Sequence, residues 1–137
     1  MKNYLKAEFD AKGINESIAR VIVAGFIMPL DPTIEQMADI KTAVSEAVTN
    51  AIIHGYEETY GTVIMELEVD EGLLTVKIHD SGMGIEDIAK AREPLFTSKP
   101  ECERSGMGFT VMESFMDSLH IESTPGIGTS VTMTKRL

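Results

Sequence analysis

Three groups of residues in this 137-residue chain combine types and spacings that can do chemistry. Glu46 and Asn50 stand four apart, the spacing that stacks two side chains on one helix face, and His54 continues the line. An amide oxygen is a hard ligand suited to Mg2+, and a neighbouring carboxylate can order a water or take a hydroxyl proton. Such a pair is also common as plain helix-surface polarity, so it gains meaning only in company. In Asp80-Ser81-Gly82-Met83-Gly84, two glycines let the backbone approach a ligand or take positive φ, and Asp80 can accept a hydrogen bond from an exocyclic amine. An ordinary Asx turn has the same composition. Arg104-Ser105-Gly106-Met107-Gly108 leads into a helical pattern, where free N–H groups reached through glycines suit a phosphate; a simple glycine-rich helix entry reads alike. Between the last two groups, Pro94-Leu95-Phe96-Thr97-Ser98-Lys99-Pro100 offers hydroxyls and a cation with the composition of a lid.

The elements that must position these groups follow from periodicity. Leu5, Ala7 and Phe9 alternate with Lys6 and Glu8, predicting a half-buried first strand over Asn3 to Phe9. Asn15 can cap a helix to about Met28, with an apolar stripe of Ile18, Val21, Ile22, Gly25 and Phe26, stopped by Pro29. Thr33 and Gln36 form a capping-box pair for a long amphipathic helix through Met37, Ile40, Val44, Ala47, Val48, Ala51 and Ile52 to about His54, with Gly55 as its C-terminal cap. Strands Thr62 to Asp70 and Leu73 to His79 make a hairpin across Glu71-Gly72. From Asp80 to Gly106 only Ile85 to Ala91 reads as helical, and a stretch so poor in regular structure is usually functional. Phe109, Met112, Phe115, Met116 and Leu119 restore helical spacing, and a last hairpin joins His120–Ser123 to Ser130–Lys135. The order predicts an α/β two-layer sandwich: a mostly antiparallel, mixed sheet with helices on one face, in a single domain over 1–137.

Composition removes several function classes. With 12 Lys+Arg against 22 Asp+Glu the net charge is −10, which opposes direct binding to nucleic acid or to an anionic membrane. The longest apolar run, Val21 to Met28 broken by Gly25, falls short of the ~20 residues of a bilayer span. The start of the chain lacks the apolar stretch of a secretory signal, and Cys102 is the only cysteine, so a reducing cytoplasmic setting is expected. No GxxxxGK[ST] loop, zinc-type His/Cys set or Gly-x-Ser-x-Gly elbow is present.

Taken together, Glu46 to Asn50, Asp80-x-Gly82-x-Gly84, the PLFTSK segment, Gly106-x-Gly108 and Gly128-Thr129 resemble the ATP-binding boxes of the gyrase, Hsp90, histidine kinase and MutL superfamily. The contexts SEAVTNAIIHGY and EPLFTSKPECERSGMGFTVMESFMDSL are more similar still to the bacterial anti-sigma factor serine kinases, in particular their sporulation branch, the anti-sigma F factors. The resemblance covers essentially the whole chain. It implies a Bergerat-type ATP-binding fold with a lid at about 92–106. It also implies an ATP- and Mg2+-dependent protein serine kinase that sequesters a sigma factor and phosphorylates, and so inactivates, an anti-anti-sigma antagonist.

Carried onto these residues, the resemblance gives Asp80 the adenine amino group, with Gly82 and Gly84 making room for the base and Thr129 assisting. Asn50 would hold Mg2+, and Gly106 and Gly108 would wrap the triphosphate. Thr97, Ser98 and Ser105 belong to the same nucleotide-binding segment, in which Lys99 and Arg104 are the nearest lid cations. Glu46 would be the general base. Arg20 on the first helix is a candidate partner contact, with a solvated helix residue as the alternative reading. A homodimer is implied, for which the edge at the first strand is a candidate surface. The alternatives are an ATP-gated binding protein without turnover, an anti-sigma kinase of the general stress response, and a detached histidine kinase domain. Histidine kinases, however, need a helical module bearing a phosphoacceptor histidine, and His54, His79 and His120 lie in no such context.

Overall fold

The computed structural model describes residues 1–55, 61–82, 88, 92 and 108–137. Its elements in chain order are β1 (Lys2–Asp10), α1 (Asn15–Ile27), a 3₁₀ turn (Met28–Leu30), α2 (Ile34–Asn50), a π-helical turn (Ala51–Gly55), β2 (Thr62–Asp70), β3 (Leu73–Asp80), α3 (Gly108–Phe115), β4 (Ser118–Thr124) and β5 (Gly128–Arg136). The strands form one sheet in the order β1-β2-β3-β5-β4, and all four pairings are antiparallel. The β4–β5 hairpin enters with β5 inward, so the start of β5 lies beside the end of β3 and Asp80 pairs with Thr129.

Period-2 burial makes the two layers. Val63, Met65, Leu67 and Val69 of β2, with Leu74, Val76 and Ile78 of β3, are fully buried or nearly so, while the residues between them face outward. Against that face pack Ala19, Val23, Phe26 and Ile27 of α1, Ile40, Ala43, Val44, Ala47 and Val48 of α2, and Met112 of α3. The β2–β3 turn puts both Glu71 (φ 48°) and Gly72 (φ 81°) in the left-handed region, as a two-residue hairpin with right-handed strand twist requires. The Lys135 ammonium donates to the Phe115 carbonyl at 2.6 Å, tying the end of α3 to the sheet.

The capping box is formed: Gln36 N–H donates to Thr33 Oγ1 at 3.0 Å and Thr33 N–H to Gln36 Oε1 at 2.9 Å. Other local expectations need correcting. Asn15 is the first residue of α1 rather than its cap; its amide donates to the Asp10 carbonyl at 2.8 Å, fastening the helix to the end of β1. The buried stripe of α1 runs through Ala19 and Val23, and leaves Ile18 and Val21 51% and 71% exposed. Apolar residues occur nearly all round this helix, so period alone did not choose a face. The small Ala19 marks a side on which a neighbouring helix can approach closely. Gly55 does not cap α2, whose regular turns end at Asn50 before the chain widens into the π turn. Leu119 belongs to β4, where it lies opposite Met133, rather than to the preceding helix.

Candidate nucleotide site

Asn50 is half-buried at the last residue of α2, one turn beyond the half-buried Glu46. The regular α-helical line ends there, so it does not extend to residue 54. A π-helical turn directly after a polar helix residue is a departure often found at functional sites. Asn50 meets the first residue of α3: a Cβ added to the buried Gly108 would lie 2.9 Å from Asn50 Nδ2 and 3.2 Å from Oδ1. Of the expected site residues, the structure therefore brings Asn50 and Gly108 into contact.

The second group forms where β3 ends. Gly82 N–H donates to Asp80 Oδ1 at 3.0 Å, closing an Asx-type turn, and a backbone hydrogen bond from Thr129 reaches the same carboxylate from β5. Burial raises the Asp80 carboxyl above its ordinary value; the two backbone donors and neighbouring His79 oppose the shift. The result is a partly desolvated acceptor fixed from two sides, able to take an N–H from a ligand where water competes weakly.

Two residues that periodicity did not single out complete this turn. Gly128, at φ 147°, passes so close that a Cβ would overlap the Asp80 carbonyl oxygen and lie 2.9 Å from Ser81 Cα. Ser123 hydrogen bonds to Thr129 Oγ1 at 2.8 Å and donates to the Gly128 carbonyl at 3.0 Å, holding the Thr129 hydroxyl from β4. The pairing of Ser123 with Thr129 across the hairpin was the available signal, once β4 and β5 were aligned.

Arg20 lies apart from both groups. Its Nε is 3.1 Å from Glu16 Oε1, and Ser45, the residue before Glu46 on α2, donates to the same Glu16 oxygen. On α1, Ile18 and Val21 are exposed, as are Ile14 just ahead of the helix and Met28 just after it. At the foot of the segment expected to form the lid, Arg92 reaches Glu113 of α3 at 3.0 Å. Gly84, Thr97, Ser98, Lys99, Arg104, Ser105, Gly106 and most of the Ile85–Ala91 segment lie outside the described residues.

Residues 14–135 match the histidine kinase-like ATPase domain family. The chain is 55% identical to the anti-sigma F factor of Bacillus subtilis, spanning 100% of this chain and 94% of that protein. It is 57% identical to the anti-sigma F factor of Clostridium perfringens, over 100% and 99% of the two chains. The chain belongs to the anti-sigma F factors, with a histidine kinase-like ATPase fold. A solved Mycobacterium tuberculosis chain carrying RsbU and RsbW domains shares that fold, with a TM-score of 0.71 at 22% identity over 98% of this chain and 32% of that one. For this anti-sigma F family member, the family match gives the half-buried Asp80 turn and the Asn50–Gly108 contact a common context, an ATP-binding domain. Among the described residues no helix is long and apolar enough to cross a membrane.

Proposed function

We propose that the protein is a cytoplasmic, single-domain, ATP-dependent protein serine kinase that transfers the γ-phosphoryl group to a serine of an anti-anti-sigma protein, and that it captures a sporulation sigma factor as a homodimer. The observation that carries the reading is Asp80: a half-buried carboxylate at the end of a strand, held by Gly82 and Thr129, is built to accept the adenine amino group and to exclude water from that contact. Gly84 gives the base room, and Thr129, steadied by Ser123, completes its edge.

At the other end of the site, Asn50 is the residue to hold Mg2+. Its hard amide oxygen suits that cation, and the missing side chain at Gly108 lets the amide pack where it does. When bound, Mg2+ supplies charge neutralisation on the phosphates.

The chain's own residues do the rest. Backbone N–H groups from Gly106 to Gly108 orient the phosphates, with Thr97, Ser98 and Ser105 contributing hydroxyls and Lys99 and Arg104 charge. Glu46, one turn from Asn50, takes the proton of the attacking serine hydroxyl. The Oγ–Pγ bond forms as the bond from Pγ to the bridging oxygen breaks, and ADP leaves.

The partner surface is α1. Arg20, held by Glu16, is carried by the same helix as exposed Ile18 and Val21, with exposed Ile14 just ahead of it; cations and apolar anchors are both used by binding surfaces. The net charge of −10 suits a partner with basic surfaces, as sigma factors have, and speeds the encounter. Incubation with γ-labelled ATP and an anti-anti-sigma protein should yield acid-stable phosphoserine; absence of transfer, or an acid-labile product, overturns the kinase reading. Co-purification with a sigma factor should be stronger in ATP than in ADP, and equal capture in both removes nucleotide from the switch.

A further inference from the structure

We propose that Gly108 is a positioning residue for the Asn50 amide: it is glycine to leave the space in which that amide is aimed. The inference rests on the reading of Asn50 as the cation ligand. Gly108 is buried, and its φ lies outside the left-handed range, so its backbone conformation does not demand glycine. It opens a helix, where alanine is the better former. Local preference therefore argues against glycine here, and the reason for it lies in what surrounds the missing side chain.

Among the described residues, the nearest neighbours of that missing side chain belong to a single group. A Cβ at Gly108 would stand 2.9 Å from Asn50 Nδ2, 3.2 Å from Oδ1 and 3.4 Å from Cγ; its three nearest neighbours all belong to one amide. The helices that carry the two residues cannot separate cheaply. Met112, one turn along α3, is fully buried in the same core as Ala47, Val48 and Ala51, which flank Asn50. A methyl group at position 108 would therefore be accommodated by turning the amide. An oxygen that must sit about 2.1 Å from Mg2+ in near-octahedral geometry tolerates little displacement. Since α2 gives way to the π turn directly after Asn50, the regular helix offers no following turn on that side, and α3 supplies the abutment.

The test uses the full-length protein and reads nucleotide binding rather than turnover. A fluorescent ATP analogue is titrated with Mg2+ and with EDTA, so that the ratio of the two Kd values reports the cation's contribution. Asn50→Ala should bring that ratio close to one. Gly108→Ala should lower it about tenfold relative to wild type, whatever the substitution does to the EDTA Kd through the phosphate contacts of its own backbone. In the Asn50→Ala background, Gly108→Ala should have no further effect on the ratio. If crowding lowers the melting temperature of Gly108→Ala, Asn50→Ala should restore it, because truncating the amide makes room for the methyl group.

A wild-type ratio in Gly108→Ala overturns this proposal alone, as does an additive loss in the double variant or a melting loss that Asn50→Ala does not restore. A wild-type ratio in Asn50→Ala overturns the cation reading itself, and the proposal with it.

Discussion

The two parts of the candidate site, one on helices and one on strands, are held by different means. At the helical end, the vacancy at Gly108 faces the tip of a side chain, the Asn50 amide. At the strand end, the vacancy at Gly128 faces main chain, the Asp80 carbonyl and Ser81 Cα, within a paired ladder. A side-chain amide can rotate by tenths of an ångström at small cost. A carbonyl in a sheet can move only if its strand does. In packing, the helical end is thus the more adjustable to substitution, whereas the strand end tolerates almost no change.

The largest effect expected tests the chemistry assigned to the helical end. Glu46→Gln removes the proton acceptor while keeping size and helix propensity, and a lost general base should slow transfer by roughly 10²- to 10⁴-fold with nucleotide affinity retained. Single-turnover transfer and binding of a fluorescent nucleotide read the two separately. A loss of binding would make Glu46 part of the nucleotide pocket instead.

Next is the contrast of glycines. Gly128→Ala combines a φ of 147° with overlap of the Asp80 carbonyl, and should lower Tm by roughly 10 °C or more. Gly126→Ala, in the same hairpin, has φ 80° but open space around it, and should lose only the smaller part due to backbone strain. Equal losses in calorimetry would show that the close approach at position 128 is not what rigidifies the strand end.

The third prediction concerns Asp80. Its carboxyl is raised above the ordinary 3.8 chiefly by burial, so the folded state binds its proton more tightly than the unfolded one. Stability is then greatest below the unfolded value and declines as pH rises through the raised folded value. Asp80→Asn removes that decline: the free protein should melt higher than wild type at neutral pH, the gap should close in acid, and affinity for adenine nucleotides should fall. A variant that melts lower at neutral pH would show that the carboxylate's backbone donors outweigh its desolvation.

How far these features were legible in the sequence differs between the two ends in the same way. The helical end was readable because Glu46 and Asn50 sit on one element with a known period, begun by a capping box that could be recognised from Thr33 and Gln36. The strand end needed a long-range pairing: Asp80 meets Thr129 only because β5, not β4, lies beside β3, and no local pattern contains that choice. For the same reason no local pattern marks Ser123, and Gly128 stands out only beside Thr129. The faces of α1 were misjudged because a helix with apolar residues on most sides takes its orientation from its neighbour. The residues left outside are Ile18 and Val21, with Ile14 just ahead of the helix.

The smallest effect asks whether the rigidity of the strand end belongs to the whole sheet or only to the β3–β5 junction. On the face away from the helices, Tyr4 of β1 donates to Glu66 Oε1 at 2.7 Å, and His79 of β3 meets Glu66 Oε2 at 2.7 Å, linking three strands next to Asp80. The Tyr4 hydrogen bond first, then His79, lowers the Glu66 carboxyl below its ordinary 4.5. The stabilisation so gained is complete above that value and is lost as pH falls through the lowered folded value. These groups are largely exposed, so solvent screens most of it. Tyr4→Phe should shift Tm by about 2 °C or less at pH 7, with the difference from wild type shrinking below pH 4.5, and should leave nucleotide affinity unchanged. If the affinity falls, the tension that holds Asp80 runs across the sheet from β1, and the base end is rigid as part of the sheet rather than through its contact with Gly128 and Thr129.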